Sequence, residues 1–210
     1  MIKIYIIHYK KLKERKKYLL DIFEKYNIKN FEFIENYCRD NITDENIELF
    51  DKNFSKIHIA ICLSHFYAYK KILEENHENA LIIEDDVIIN ENFFKNLNNY
   101  IKILPYNYDM VFIGDGCNLH IDKNKILPDC VMYKRNLDIE YGTRCTDSYI
   151  VSKKCANKIT NYLNNNPTKI CEAIDWWLNY YFKNNTEYNI YWTEPTIISQ
   201  GSGNIYEKSY

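Results

Sequence analysis

The stretch Ala80-Leu-Ile-Ile-Glu-Asp-Asp-Val87 decides the fold of this chain. Its first four residues form a short apolar run, which ends abruptly in three consecutive acidic residues, Glu84, Asp85 and Asp86. Short continuous apolar runs between polar segments are typical of strands that are buried on both faces of a sheet. The pattern therefore predicts a buried strand with carboxylates at its carboxyl end.

A second run of this kind, Met110-Val-Phe-Ile113, ends in Gly114-Asp115-Gly116. Further strands are predicted at 2–9, 31–35, 148–151 and 188–192, and helices at about 12–26, 55–75, 153–163 and 174–182. Alternation of strands and helices predicts an α/β fold with a mostly parallel central sheet flanked by helices. Ligands of such sheets bind outside the carboxyl ends of the strands, where both acidic segments fall. We expect a single domain over residues 1–210.

Bulk composition narrows the class of protein. A net charge of -2 provides no positive field for a polyanion, so nucleic acid is not an expected partner. The chain shows no signal-peptide pattern and no transmembrane segment, and we expect a cytoplasmic protein. The basic run Lys10-Lys-Leu-Lys-Glu-Arg-Lys-Lys17 leaves a peripheral contact with a membrane open.

The three consecutive carboxylates indicate a bound cation, because neighbouring negative charges repel one another unless something positive neutralises them. Mn²⁺ and Mg²⁺ take oxygen ligands and commonly bridge one or two carboxylates to substrate phosphates. In an extended segment, Glu84 and Asp86 share one side and Asp85 points to the other. The sequence therefore predicts Glu84 and Asp86 as metal ligands; the alternative is a solvated acidic turn.

Several motifs resemble those of glycosyltransferase family 25, which includes lipooligosaccharide galactosyltransferases and collagen hydroxylysine galactosyltransferases. The motifs follow one another in the order found in the family and span nearly the whole chain. The resemblance implies a GT-A type, Rossmann-like fold, a UDP-hexose donor, a divalent metal and inverting chemistry. The matching fragments are Ile6-Ile7-His8 with Arg15, Ala60-Ile-Cys-Leu-Ser64-His65, Leu81-Ile-Ile-Glu-Asp-Asp-Val87, Thr146-Asp-Ser-Tyr-Ile-Val-Ser152, Ile174-Asp175-Trp176-Trp177-Leu178, Glu194-Pro195 and Ser199-Gln200-Gly-Ser202.

The resemblance also implies which residues hold the donor. They are Ile7, His8, Arg15, Ser64, His65, Glu84 and Asp85. The family usually carries Asn where this chain has His8, and the change affects the choice of donor base or the affinity. Arg15 is either a phosphate contact near a helix N-terminus or part of a solvated basic face. Ser64 and His65 either shape the floor of the donor site or serve the helix structurally.

An inverting transferase needs a base that reaches the acceptor hydroxyl. Asp175 is the first candidate, because it begins a helix beside two tryptophans that could stack on a sugar. Glu172 and Asp147 are the reserves. The alternative for Asp175 is a carboxylate that only complements the helix dipole.

The expected partners are a UDP-hexose, carrying galactose or glucose, and an acceptor that is either a glycan or a collagen-like hydroxylysine. One competing hypothesis is a catalytically silent member that only binds a sugar nucleotide. Another is a metal-dependent hydrolase or nucleotidyltransferase, because acidic residues at strand ends serve those reactions as well. The tyrosine-rich end from Gly203 is a candidate surface for docking on a neighbouring molecule.

Overall fold

The computed structural model describes residues 2–165, 168–185 and 187–202, so the tyrosine-rich end from Gly203 lies outside the described residues. The strands are β1 (Lys3–Ile7), β2 (Phe31–Ile34), β3 (Asn79–Glu84), β4 (Val87–Ile89), β5 (Met110–Phe112), β6 (Met132–Lys134), β7 (Ser148–Ser152), β8 (Ile190–Thr193) and β9 (Ile198–Gln200). The α-helices are α1 (Lys13–Lys25), α2 (Asp44–Ile47), α3 (Lys56–Glu74), α4 (Phe93–Lys102), α5 (Lys153–Asn165) and α6 (Ile174–Lys183). Among these described residues, no helix is long and apolar enough to cross a membrane.

The central sheet has the strand order β2-β1-β3-β7-β5-β8-β6. Five of these strands run in one direction, while β7 and β6 are antiparallel to their neighbours. The predicted α/β fold with a mostly parallel sheet is therefore confirmed. The reversed strand β7 lies between β3 and β5, a placement that its apolar run alone does not encode.

Successive residues of the buried strands point to opposite faces of the sheet, so a hydrophobic core forms on each face. Tyr5 and Ile82 pack on the side covered by α3, α5 and α6. Ile6 and Ile83 pack on the other side, with residues of α1 and α4. With both faces covered, ligand access is left to the edge where the parallel strands end.

The structure contains elements that the sequence analysis does not predict: α2, α4, β4, β6 and β9. The strands among them have three residues each, and their pairing depends on partners far away in the chain. Strand β4, which follows the acidic triplet, pairs antiparallel with β9. This pairing carries the segment that ends at Ser202 back to the acidic triplet.

Candidate active site

A cleft of about 390 Å³ opens at the carboxyl edge of the sheet, beside the end of β3. Its walls come from the loop after β1, the first turns of α1 and α3, the acidic triplet, the start of α6 and the segment after β9. The cleft brings together eight of the predicted site residues: Ile7, His8, Arg15, Ser64, Glu84, Asp85, Asp86 and Asp175. It does not include His65, Asp147 or Glu172 among its lining residues.

The acidic triplet forms a tight turn. Strand β3 ends at Glu84 and β4 begins at Val87, so Asp85 and Asp86 are the two residues that reverse the chain. The prediction that Glu84 and Asp86 share one side while Asp85 points to the other assumes an extended segment, and the strand ends at Glu84. All three carboxylates line the cleft, and each has its own set of partners.

Asp85 is neutralised by the protein itself. Arg15 Nη1 donates to its Oδ1 over 2.8 Å, and His8 Nδ1 lies 2.7 Å from its Oδ2, to which the backbone N–H of Tyr9 also donates over 3.1 Å. Arg15 and Asp85 are both buried, so Arg15 is not part of a solvated face. The Nδ1 atom of His8 is occupied by this contact, whereas its buried Nε2 has no hydrogen-bond partner within the described part of the chain.

Glu84 is held from behind by a buried hydrogen-bond chain. The Thr146 hydroxyl donates to Glu84 Oε1 over 2.8 Å, and His65 Nε2 lies 3.3 Å from the same oxygen. The other ring nitrogen of His65 is 2.7 Å from the Tyr149 hydroxyl, which contacts the Tyr69 hydroxyl at 2.8 Å. Because His65 is fully buried behind Glu84, its place is that of a residue that orients the carboxylate.

The hydroxyl of Ser64, the neighbour of His65, is not free for a ligand in this structure. It donates to the carbonyl oxygen of Ala60 over 2.8 Å, within the same helix. Ser64 nevertheless lines the cleft, so its side chain forms part of the floor.

Asp86 has fewer partners. The Ser202 hydroxyl donates to Oδ2, whereas the buried Oδ1 has no hydrogen-bond partner among the residues that the structure describes. Burial, followed by the charge of Glu84, raises the pKa of Asp86 to about 6, and the Ser202 hydrogen bond opposes this rise. Asp86, at the end of the turn, is therefore less stable as a charged carboxylate in this structure than a solvated aspartate would be.

Asp147 lies beneath the turn and is fully buried. The Ser148 hydroxyl donates to Oδ2 over 3.3 Å, while Oδ1 has no partner within the ranges described. Burial first, and then the charges of Glu84, Asp115 and Asp86, raise its pKa well above the ordinary value. The carboxylate packs so closely on Gly114 that any Cβ at that position would collide with it.

Asp175 lies in the first turn of α6 and lines the cleft. Burial and the charge of Glu84 raise its pKa, whereas backbone N–H groups at the start of the helix and the nearby His58 lower it. A raised pKa brings a carboxylate closer to the range in which a general base works best. Glu172, two residues before the helix begins, is exposed and stands outside the cleft.

Several lining residues are not among the predicted site residues. Thr146 and Ser202 lie within the motif fragments, so a closer look at the hydroxyl groups beside the acidic residues could have found them. Arg39 and His58 also line the cleft, but no motif marks them. The tryptophans that could stack on a sugar are not equivalent: Trp176 is exposed, whereas Trp177 and Trp192 pack in the core.

The fit of a metal ion can be tested on these contacts. Within the described ranges, no group of three His, Cys, Asp or Glu side chains is arranged to hold a metal. Asp85 is already occupied by Arg15 and His8. Glu84 and Asp86, with the unpartnered Oδ1 of Asp86, offer two carboxylates, the number that Mg²⁺ or Mn²⁺ uses when phosphates and water complete its shell.

An acidic turn and a separate carboxylate thus share one cleft at the carboxyl edge of an α/β sheet, the edge at which such sheets bind their ligands. Residues 1–177 match the family described as "Glycosyltransferase family 25 (LPS biosynthesis protein)". The chain belongs to glycosyltransferase family 25.

Two curated relatives and one crystal structure agree with this assignment. The lipooligosaccharide biosynthesis protein lex-1 of Haemophilus influenzae is 30% identical over 145 residues, 66% of this chain and 47% of the relative. A putative glycosyltransferase of Acanthamoeba polyphaga mimivirus is 27% identical over 124 residues, 56% of this chain and 38% of the relative. The chain thus spans less than half the length of these relatives. A glycosyltransferase involved in glycosylation of the major capsid of PBCV-1 shares the fold, with a TM-score of 0.55 at 14% identity over 96% of this chain and 93% of the other.

Proposed function

We propose that this chain is an inverting glycosyltransferase that moves a hexose, galactose or glucose, from a UDP-sugar to a hydroxyl of a glycan. The observation that carries the proposal is that the acidic turn and Asp175 line the same cleft. The turn suits a donor diphosphate with its cation, and Asp175 suits the acceptor. Residues 1–210 would act as one GT-A type domain.

The donor would bind on the side of the cleft formed by β1, α1 and the turn. The N-terminal end of α1 presents a helix dipole that favours phosphate to this side, and Arg15, although paired with Asp85, lines the same side. His8 would meet the nucleotide where the family usually carries Asn. Glu84 and Asp86 would hold Mn²⁺ or Mg²⁺, which, when bound, stabilises the charge that develops on the departing UDP.

Asp175 would act as the base. Its carboxylate accepts the proton of the acceptor hydroxyl as that oxygen attacks the anomeric carbon from the face opposite the diphosphate. A new C–O bond forms, the bond from the anomeric carbon to the diphosphate oxygen breaks, and UDP leaves with the electron pair. The burial that raises the pKa of Asp175 makes it a better proton acceptor than a solvated carboxylate.

A glycan is the acceptor class that the relatives favour. The matched protein of Haemophilus influenzae takes part in lipooligosaccharide biosynthesis, and the matched crystal structure is of an enzyme involved in capsid glycosylation. Neither relative is a collagen-modifying enzyme by name, so hydroxylysine remains the second acceptor class to be tested.

The experiment is calorimetric titration of the protein with UDP-galactose, UDP-glucose and UDP, with and without Mn²⁺. We expect metal-dependent binding that is lost in Glu84→Ala/Asp86→Ala and kept in Asp21→Ala, which removes an exposed carboxylate of α1. Absence of nucleotide binding by correctly folded protein would contradict the proposal and favour a catalytically silent family member with a different ligand.

A further inference from the structure

Two exposed aromatic side chains meet at a right angle beside Asp175. Trp176 and Tyr141 are 44% and 61% exposed, with ring centroids 5.6 Å apart and an interplanar angle of 86°. One helical turn beyond Trp176, Tyr180 is 51% exposed. We call the pair formed by Tyr141 and Trp176 the aromatic corner.

The aromatic corner contrasts with the other aromatic residues of α6. Trp177 stacks on Tyr181 at 5.3 Å and packs edge-on against Phe66 at 5.2 Å. These rings belong to the core that joins α6 to α3 and α5. Burial of Trp177 therefore has a structural reason, whereas nothing in the core requires large aromatic rings at 141 and 176.

Hydrogen bonds fix the loop that carries Tyr141 against α6. The backbone N–H of Thr143 donates to Asn179 Oδ1 over 2.9 Å, and the Thr143 hydroxyl donates to the carbonyl oxygen of Asp175 over 3.2 Å. The neighbouring Gly142 accepts a hydrogen bond from Trp192 Nε1 over 2.7 Å. Because the backbone that carries both rings is anchored, little backbone freedom remains to be lost when a ligand packs against the corner.

The aromatic corner lies beside the cleft, although its two rings are not among the residues that line it. Asp175, which precedes Trp176, lines the cleft, and so do Cys145 and Thr146, which follow the anchored loop. A molecule that places a hydroxyl at the Asp175 carboxylate therefore extends toward these rings. This side of the cleft lies at α6, apart from the basic side near Arg15 that suits phosphate.

We propose that the aromatic corner binds the sugar ring of the acceptor glycan, next to the unit that receives the hexose; this inference rests on the proposed function. One face of a hexose ring presents C–H groups, which pack on aromatic faces without any charge. The adjacent carboxylate, Glu140, lies 3.5 Å from Arg135 and 3.7 Å from Lys125 in ion pairs. It is therefore already paired, which leaves less negative charge beside Tyr141 for the ammonium group of a hydroxylysine peptide.

The test is saturation-transfer NMR with methyl β-galactoside, methyl β-glucoside, lactose and a hydroxylysine peptide as probes, in the presence and absence of UDP. We compare wild type with Trp176→Ala, Tyr141→Ala, Trp176→Phe and the control Tyr106→Ala, which removes a fully exposed aromatic ring outside the lining of the cleft. Thermal unfolding of each variant confirms that it is folded.

We expect at least one probe to bind wild type and Tyr106→Ala, with affinity lowered about fivefold to tenfold in Trp176→Ala and Tyr141→Ala and largely restored in Trp176→Phe. Binding that is unchanged in folded Trp176→Ala and Tyr141→Ala, or binding of a hydroxylysine peptide alone, would overturn the inference. UDP titrated separately distinguishes the two proposals: nucleotide binding without sugar binding rejects only the aromatic corner, and sugar binding without nucleotide binding supports the corner while rejecting the donor site.

Discussion

The two residues of the acidic turn, Asp85 and Asp86, are both buried carboxylates, but their charges are balanced in different ways. Asp85 is surrounded by Arg15, His8 and a backbone N–H, so the protein supplies its positive charge. Asp86, the next residue, has one hydroxyl donor and a buried oxygen without a partner in the described ranges, above the equally buried Asp147. The proposed function accounts for this difference: one end of the turn serves the fold, and the other would receive a positively charged ligand.

The largest effect is expected at the end of the turn that the protein itself neutralises. Arg15→Ala leaves Asp85 as a buried charge without its cation, and should lower the free energy of unfolding by about 3–5 kcal/mol. Urea denaturation measures this loss. The matched control is Lys17→Ala on the same helix, whose pair with Asp21 is exposed, and its change should stay below about 1 kcal/mol. Small effects of equal size from Arg15→Ala and Lys17→Ala would contradict the claim that Arg15 stabilises the protein by neutralising Asp85.

Neighbouring substitutions should have effects of opposite sign. Asp85→Asn weakens the ion pair and should destabilise the protein by about 2–3 kcal/mol. Asp86→Asn removes a charge that is costly in the folded state, and in metal-free buffer at pH 8 it should stabilise the protein by about 1–3 kcal/mol. Denaturation in the presence of a chelator measures both. Destabilisation of similar size by Asp86→Asn would show that the two ends are alike.

The pH dependence of stability extends the comparison to Asp147, the buried carboxylate beneath the turn. Its pKa is raised in the folded state, so between the ordinary value of 3.8 and the raised value the folded protein holds a proton that the unfolded chain has released. Stability contributed by this group is therefore present at low pH and is lost as the pH rises. Asp147→Asn should gain stability relative to wild type from pH 4 to pH 8, whereas the exposed control Asp21→Asn should run parallel to wild type.

The smallest effect concerns the chain of hydrogen bonds behind Glu84. Tyr149→Phe removes a hydroxyl that contacts His65 and Tyr69, and should cost about 1 kcal/mol of stability. If His65 orients Glu84, metal-dependent nucleotide binding should weaken in this variant while binding of UDP without metal stays unchanged. A loss of both in equal measure would assign His65 a purely structural role.

Local patterns predicted much of the fold and part of the site. The apolar run before Glu84 was sufficient to place β3 and the acidic residues at its end, because burial on both faces leaves a clear signature. A turn at Asp85 and Asp86 is only the alternative that the sequence offers, and as a solvated one, because the alternation of an extended strand places Glu84 and Asp86 on one side. The hydrogen bond from Ser202 to Asp86 depends on the pairing of β9 with β4, which joins segments more than a hundred residues apart and leaves no local pattern.

The burial of individual side chains is the second property that the sequence does not predict. Trp176 and Trp177 are adjacent and chemically identical, yet one is exposed beside Asp175 and the other packs against Phe66. The face of a helix that meets its neighbours is decided by packing across the whole sheet. In the same way, the sequence ranks Asp175 before Glu172 as the base, and the geometry separates them further, because only Asp175 lines the cleft.

The most direct test of the account is release of UDP from the UDP-hexose that binds, measured with the glycoside acceptors in wild type, Asp175→Asn and the matched control Glu172→Gln. We predict that acceptor-dependent turnover falls at least about 100-fold in Asp175→Asn, with donor affinity retained, and is unchanged in Glu172→Gln. Turnover that persists in Asp175→Asn would contradict the assignment of Asp175 and of this cleft as the place where the sugar is transferred.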